Sequence, residues 1–123
     1  MNRVHITFGI IIAILLIVVI LALQEVSSGD NNAELDTFAQ CLSDRGAVMY
    51  GTYSCPYCRK QKDLFGDAFR FVSYVECTQE PDRCVADGID VTPIWLFPND
   101  GRLVGLQSFE ALAAKTGCVL LQQ

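Results

Sequence analysis

The sequence predicts a small mixed α/β domain, with a central mixed sheet and helices on both faces, preceded by one N-terminal transmembrane helix. Three observations support this class. The 123 residues are 51% hydrophobic and 19% charged, which is the composition of a folded chain. Residues 6–23 carry no charge. The rest of the chain alternates helical with extended hydrophobic patterns, in the expected order α-β-α-β-α-β-β-α.

The uncharged N-terminal run predicts a membrane anchor. As a helix, residues 6–23 would span about 27 Å, close to the hydrocarbon thickness of a bilayer. A cleaved signal peptide is the alternative, but its apolar region is usually about 7–15 residues long, and the residues after this run match a cleavage site poorly. Arg3 precedes the run and Glu25 and Asp30 follow it. This charge difference favours a cytoplasmic N-terminus and a domain outside the cytoplasm.

The predicted organisation has three parts: the anchor at 1–23, a polar tether at 24–32 and one domain at 33–123. The tether reaches at most about 30 Å, so the domain would work close to the membrane surface. The chain has 14 acidic and 9 basic residues, which argues against nucleic acid as a partner. The single histidine, His5, precedes the domain, which argues against a histidine-based metal site or catalytic triad.

The first helix of the domain is predicted to begin at Asn32, a capping residue, and to close at Gly46. Leu35, Phe38 and Leu42 recur at helical spacing within it. Shorter apolar and alternating runs predict the strands, and Asn-Asp-Gly at 99–101 predicts a hairpin. The further elements are strands at 47–50, 71–76, 94–97 and 102–105, helices at 56–65 and 81–87, and a closing helix after Ser108.

Cys55 and Cys58 stand three residues apart at the start of a predicted helix, as dithiol–disulfide exchange requires. Pro56 suits the first helical turn, so Cys55 would be the N-cap residue. Free N–H groups and the helix dipole stabilise a thiolate there and lower its pKa from about 8.5 to about 3.5–7.5. We therefore predict an enzyme with Cys55 as nucleophile, Cys58 as resolving thiol and Tyr57 as a substrate contact. A structural disulfide or half of a zinc site is the alternative, which the strand–helix context disfavours.

Thr92 and Pro93 form a second motif, directly before the predicted strand 94–97. Proline cannot donate a hydrogen bond to a central ladder, which favours the first position of a strand, and X-Pro bonds are where cis peptides occur. The motif therefore places Pro93 at the start of the strand, where a cis peptide is compatible with it.

Residues 38–117 resemble the thioredoxin-like domain that is fused to bacterial and plant homologues of vitamin K epoxide reductase (VKOR). The matching segments are Met-Tyr-Gly-Thr-Tyr-Ser-Cys-Pro-Tyr-Cys at 49–58, Gln-Lys-Asp-Leu-Phe-Gly at 61–66, Glu-Cys at 76–77, Gly-Ile at 88–89, Thr-Pro-Ile-Trp at 92–95, Gly105, and Ser-Phe-Glu-Ala-Leu-Ala at 108–113. The resemblance implies that Cys55 and Cys58 are the exchanging pair and that Pro93 is a cis-proline beside them. The backbone at Thr92 would pair with a substrate chain.

The resemblance also implies the partners. Protein thiols and disulfides are the expected substrates, and no cofactor and no metal are expected. The four-helix quinone-reducing domain of the family does not occur in this chain with its single span. The expected redox partner is therefore a separate VKOR-like membrane protein, and the enzyme would be an oxidase, or a reductase or isomerase when run in reverse.

Other classes share parts of this pattern. Glutaredoxins use Cys-Pro-Tyr-Cys, but Thr52 stands where they tend to carry a lysine, and Gly105-Leu106 replaces their Gly-Gly pair. Thioredoxins place an acid six residues before the nucleophile, where this chain has Met49. A glutaredoxin-like or thioredoxin-like reductase or isomerase is therefore the nearer alternative. A non-catalytic module that holds Cu or Zn through the two active-site cysteines is the more distant one.

The remaining cysteines form a second group. Cys77 and Cys84 are predicted to form a disulfide between a strand end and the third helix. Its role would be a staple worth about 2–3 kcal/mol, or a relay that exchanges electrons with the active-site pair. Cys41 and Cys118 are not expected to pair directly, because the first and last helices of a thioredoxin-like fold would pack on opposite faces of the sheet.

Overall fold

A computed structural model describes residues 2–23 and 30–120, which fall into two compact units divided after Asn31. Helix α1, Asn2–Leu23, forms the first unit. Within the described residues it is the one helix long and apolar enough to cross a membrane, and none of that span is buried inside the protein. Of the predicted tether, residues 24–29 lie outside the described part of the chain.

Most of helix α2, Asp30–Asp44, belongs to the second unit, and the helix starts two residues before the predicted cap Asn32. Asp30, Asn31 and Asn32 are all residue types that favour a helix start, so the sequence offered several beginnings. The element order confirms the predicted α-β-α-β-α-β-β-α. The elements are β1 (Val48–Gly51), α3 (Pro56–Phe65), β2 (Ser73–Glu76), α4 (Pro81–Ala86), β3 (Ile94–Phe97), β4 (Gly101–Val104) and α5 (Phe109–Thr116).

A 3₁₀ helix, Gly66–Phe71, occupies the start of the strand predicted at 71–76, so β2 is shorter than expected. Its Phe69 packs edge-on against Phe65 and Tyr74, with ring centroids 6.1 and 5.5 Å apart. The tight turn between α3 and β2 leaves this ring partly buried against the larger core cluster. Tertiary packing therefore outweighs the strand propensity of the aromatic and β-branched residues.

The four strands form one mixed sheet in the order β2-β1-β3-β4. Strands β1 and β2 run parallel, with Gly51 opposite Glu76. Strands β3 and β4 are antiparallel to their neighbours. Because parallel strands end at the same edge of a sheet, the segments that follow β1 and β2 begin side by side.

Both faces of the sheet carry helices, which confirms the predicted fold class. Neighbouring residues of β3 show the alternation, because Ile94 packs in one core cluster and Trp95 in the other. The larger cluster joins α2, α3 and α5 through residues that include Phe38, Phe65, Trp95 and Leu112. The smaller cluster contains Tyr50, Val75, Cys84 and Ile94, and α4 contributes to it.

The structure pairs Cys41 with Cys118, whose Cα atoms are 5.9 Å apart, so the expectation against direct pairing was wrong. That expectation placed the first and last helices of the domain on opposite faces. In fact Phe38 of α2 and Phe109 of α5 pack edge-on with ring centroids 5.6 Å apart. The two helices therefore share a face, and Cys118 follows α5 directly after its C-cap, Gly117.

Candidate active site

Cys55 is the N-cap residue of α3, and Pro56 takes the first helical position. The Cys55 Sγ atom accepts a hydrogen bond from the backbone N–H of Cys58 at 3.2 Å. Both thiols are unpaired, but Cys55 is partly exposed and Cys58 is fully buried. The helix start therefore presents one sulfur to the surface and keeps the other inside.

The surroundings shift the pKa values of these two thiols in opposite directions. Burial works against ionisation of Cys55, but hydrogen bonds from the Cys58 thiol and from backbone N–H groups outweigh it and lower the Cys55 pKa. Burial raises the pKa of Cys58 to about 11, and its hydrogen bond to Cys55 adds to the effect. Near neutral pH, Cys55 is thus the thiol that ionises more readily, and Cys58 retains its proton.

Thr92 and Pro93 lie directly beside Cys55. The Thr92–Pro93 peptide bond is cis. The Thr92 carbonyl oxygen is 3.6 Å from Cys55 Sγ, close enough to accept a hydrogen bond from the thiol. Pro93 is fully buried, and its carbonyl oxygen accepts a hydrogen bond from the Gly105 N–H at 2.8 Å. The structure therefore brings the two sequence motifs together at one place.

Exposed tyrosines flank the pair. The Tyr57 ring, between the two cysteines, is 57% exposed and carries Lys60 Nζ 5.3 Å from its centroid. Tyr53, two residues before Cys55, is 70% exposed. Side chains of this kind offer apolar area with a polar tip, which suits contact with a peptide.

Sequence reasoning missed two residues of β2 that border the site. The Tyr74 hydroxyl donates a hydrogen bond to Glu76 at 2.8 Å. Glu76 also accepts hydrogen bonds from the Thr78 hydroxyl at 2.8 Å and from the Tyr53 N–H at 3.2 Å. The parallel pairing that the α-β-α-β order implies is the signal that could have found them, since β2 must end beside the strand that leads into Cys55.

Gln61 is a second residue that sequence reasoning missed. It is fully buried on α3, one turn beyond Cys58. Its Oε1 accepts hydrogen bonds from Trp95 Nε1 at 3.4 Å and from the Gln107 N–H at 2.7 Å, and its Nε2 donates to the Gln107 carbonyl at 3.1 Å. These bonds fix α3 against β3 and against the segment before α5.

Cys77 and Cys84 form a disulfide with Cα atoms 5.7 Å apart. The Cys77 N–H donates a hydrogen bond to the Gly51 carbonyl at 2.9 Å, so this bridge begins next to the loop that leads into Cys55. Cys84 is buried in α4. Within residues 2–23 and 30–120, no group of three or more His, Cys, Asp and Glu side chains could hold a metal ion.

The mixed sheet with helices on both faces and the free thiol pair at a helix start resemble a thioredoxin-like redox domain. No family model matches the chain. The thiol-disulfide oxidoreductase LTO1 of Arabidopsis thaliana is 34% identical to it over 107 residues. The match covers 80% of this chain and 28% of LTO1, so the chain spans less than a third of that relative. The similarity supports a thioredoxin-like redox domain here.

Proposed function

We propose that the protein is a membrane-anchored thiol–disulfide oxidoreductase that exchanges disulfides with other proteins through Cys55 and Cys58. The observation that carries the proposal is the difference between the two thiols. Cys55 is accessible, caps a helix and has a lowered pKa, whereas Cys58 is buried and has a raised pKa. A nucleophile and a resolving thiol need this division of roles. The Arabidopsis relative is named a thiol-disulfide oxidoreductase, which supports the same activity here.

Exchange proceeds in two displacements. In the oxidase direction, a client thiolate attacks Cys55 Sγ in the Cys55–Cys58 disulfide, and Cys58 leaves as a thiolate that takes up a proton. A second client thiolate then attacks the client sulfur of the mixed disulfide and releases Cys55. The client gains a disulfide and the enzyme is left reduced. The same steps reversed reduce a client, and the direction follows the reduction potentials of the couples involved.

The client chain is proposed to lie along Thr92 and Pro93. A sulfur bound to Cys55 would sit close to the Thr92 carbonyl, which is itself 3.6 Å from Cys55 Sγ. An extended client segment there can bond to the backbone before Pro93 and pack on the exposed ring of Tyr57. Contact through the backbone suits an enzyme whose clients share a cysteine rather than a sequence.

The domain is proposed to work outside the cytoplasm, held there by α1. Arg3 before the apolar run favours a cytoplasmic N-terminus. The Cys41–Cys118 and Cys77–Cys84 disulfides fit an oxidising compartment. A VKOR-like, quinone-linked membrane protein is the proposed partner that recharges the dithiol. A reporter enzyme that works only outside the cytoplasm should be active when it is fused after Gln123. If a reporter that works only in the cytoplasm is active at the same position instead, this placement is contradicted.

Trapping tests the activity. Cys58→Ala removes the resolving thiol, so mixed disulfides through Cys55 should accumulate in cells and be identifiable by mass spectrometry. Cys55→Ala is the matched control and should trap few. Secreted clients together with a multi-spanning membrane protein would indicate an oxidase, and a cytoplasmically powered electron carrier would indicate a reductase. No trapping by either variant, with stoichiometric zinc or copper on the reduced chain, would contradict exchange and favour a metal-binding module.

A further inference from the structure

The exchange mechanism requires the buried thiol of Cys58 to lose a proton, and it does not say which group accepts that proton. This inference rests on the proposed function. To resolve a mixed disulfide on Cys55, Cys58 must lose a proton, yet it is fully buried and burial favours its protonated form. Strand β1 supplies no base beside it, because Met49 is apolar and Tyr50 packs in the cluster on the other face. The nearest candidate acceptor outside β1 lies on β2.

Strand β2 places a hydroxyl in the neighbourhood of the sulfur. Gly51 marks the place, because a methyl group on its Cα would lie 3.0 Å from Cys58 Sγ and 3.1 Å from the Tyr74 hydroxyl oxygen. The sulfur and the hydroxyl therefore border the same small space, which glycine keeps open. Tyr74 packs in the same core cluster as Cys58.

The hydroxyl leads on to a carboxylate. The Tyr74 hydroxyl donates a hydrogen bond to the Glu76 carboxylate at 2.8 Å. Glu76 also accepts hydrogen bonds from Thr78, which is exposed to solvent. Burial opposes ionisation of Glu76, but these hydrogen bonds outweigh it and lower its pKa, so it is ionised near neutral pH. The other charged or titratable groups around Tyr74 are Cys55 and Lys62 of α3, with Lys62 Nζ 3.9 Å from the ring centroid.

We propose that Tyr74 and Glu76 form the proton relay of Cys58. In the resolving step, the Cys58 thiol passes its proton to the Tyr74 oxygen while Tyr74 passes its own proton to Glu76. The Cys58 sulfur attacks Cys55 Sγ, the Cys55–Cys58 bond forms, and the bond to the client sulfur breaks. The client leaves as a thiolate, and the proton on Glu76 passes to solvent or to that thiolate. In the oxidase direction the relay runs backwards and protonates Cys58 as it leaves.

A single-turnover reaction separates the two steps. The reduced full chain in detergent is mixed with 4,4′-dithiodipyridine, which releases one coloured thiopyridone when Cys55 attacks and a second when Cys58 resolves. Tyr74→Phe and Glu76→Gln should leave the first phase unchanged and slow the second about tenfold or more at pH 7, as loss of general-base help does. In both variants the second phase should then rise steeply with pH, because Cys58 must ionise without help.

Tyr50→Phe is the matched control. It also removes a tyrosine hydroxyl that donates to a carboxylate, that of Asp87, but in the cluster on the opposite face. Both of its phases should match the wild type. Unchanged second phases in Tyr74→Phe and Glu76→Gln would overturn the relay and leave the exchange function intact. Slowing in Tyr74→Phe alone would overturn the transfer to Glu76. Absence of both phases in the wild type would overturn the proposed function and the relay together.

Discussion

Two short cysteine pairs lie at the same edge of the sheet, and they differ in state. Cys55 and Cys58 follow the parallel strand β1 and are free thiols. Cys77 and Cys84 follow the neighbouring parallel strand β2 and form a disulfide. Both pairs also adjoin a helix that begins with proline, Pro56 in α3 and Pro81 in α4.

The position relative to the helix start separates the pairs. Cys55 is itself the N-cap of α3, so its sulfur accepts the N–H of Cys58. The N-cap of α4 is Glu80, and Cys84 lies inside that helix with its side chain in the core. A cysteine at a helix start gains stabilisation of its thiolate, whereas one inside a helix gains only burial. The free pair and the bridged pair therefore differ in helix position as well as in spacing.

The largest expected effect concerns activity. Cys55→Ser should lower the rate of exchange with a peptide disulfide at least about a thousandfold, because a hydroxyl cannot replace the thiolate nucleophile. The double variant Cys77→Ser/Cys84→Ser should keep most of the rate, measured in the same assay on the full chain. An equal loss of rate in the double variant would contradict the distinction between the two cysteine pairs and would indicate that Cys77 and Cys84 relay electrons.

The next effect concerns stability and compares the two closed disulfides. The Cys41–Cys118 disulfide joins residues that are 77 positions apart in the sequence, whereas the Cys77–Cys84 disulfide joins residues that are 7 positions apart. The chain-entropy model gives losses of about 4–5 and about 2–3 kcal/mol. Urea unfolding of paired serine variants in mild detergent, followed by the fluorescence of Trp95, measures both. Equal losses would show that loop length does not govern these bridges.

A smaller effect concerns the anchoring of α3, which Cys55 caps and which contains Cys58. Gln61→Leu would leave Trp95 Nε1–H buried without its partner and would remove two hydrogen bonds to the half-buried Gln107 backbone, at a cost of about 2–4 kcal/mol. Exposed Gln40, changed to leucine, should shift stability by no more than about 0.5 kcal/mol. Thermal unfolding of both variants provides the comparison. A loss no larger at Gln61 than at Gln40 would mean that α3 is held by apolar packing alone.

Much of this arrangement could be predicted from local patterns. Hydrophobic periodicity predicted the order of the helices and strands. Cys55-Pro56 predicted the start of α3, and Pro93 predicted where strand β3 begins. Each of these follows from short-range backbone chemistry. Local patterns therefore placed Cys55 at a helix start and Thr92–Pro93 directly before a strand, where the structure has them.

The rest depends on contacts between distant segments. The pairing of Cys41 with Cys118 requires α2 and α5 to share a face, which Phe38 and Phe109 show only once they are packed. Tyr74 and Glu76 join the site through the register of β2 against β1, which no local pattern specifies. The 3₁₀ helix before β2 likewise accompanies the partial burial of Phe69 against the larger core cluster.

Cys55 and Cys58 are proposed to divide the work of exchange because their surroundings displace their pKa values in opposite directions. Pulsed alkylation of the reduced full chain across pH, with peptide mapping by mass spectrometry, measures each cysteine separately. Cys55 should react with a midpoint below that of an ordinary thiol, about 8.5, while Cys58 should resist until about pH 11. Equal midpoints for the two thiols, or a Cys58 that ionises before Cys55, would contradict the account.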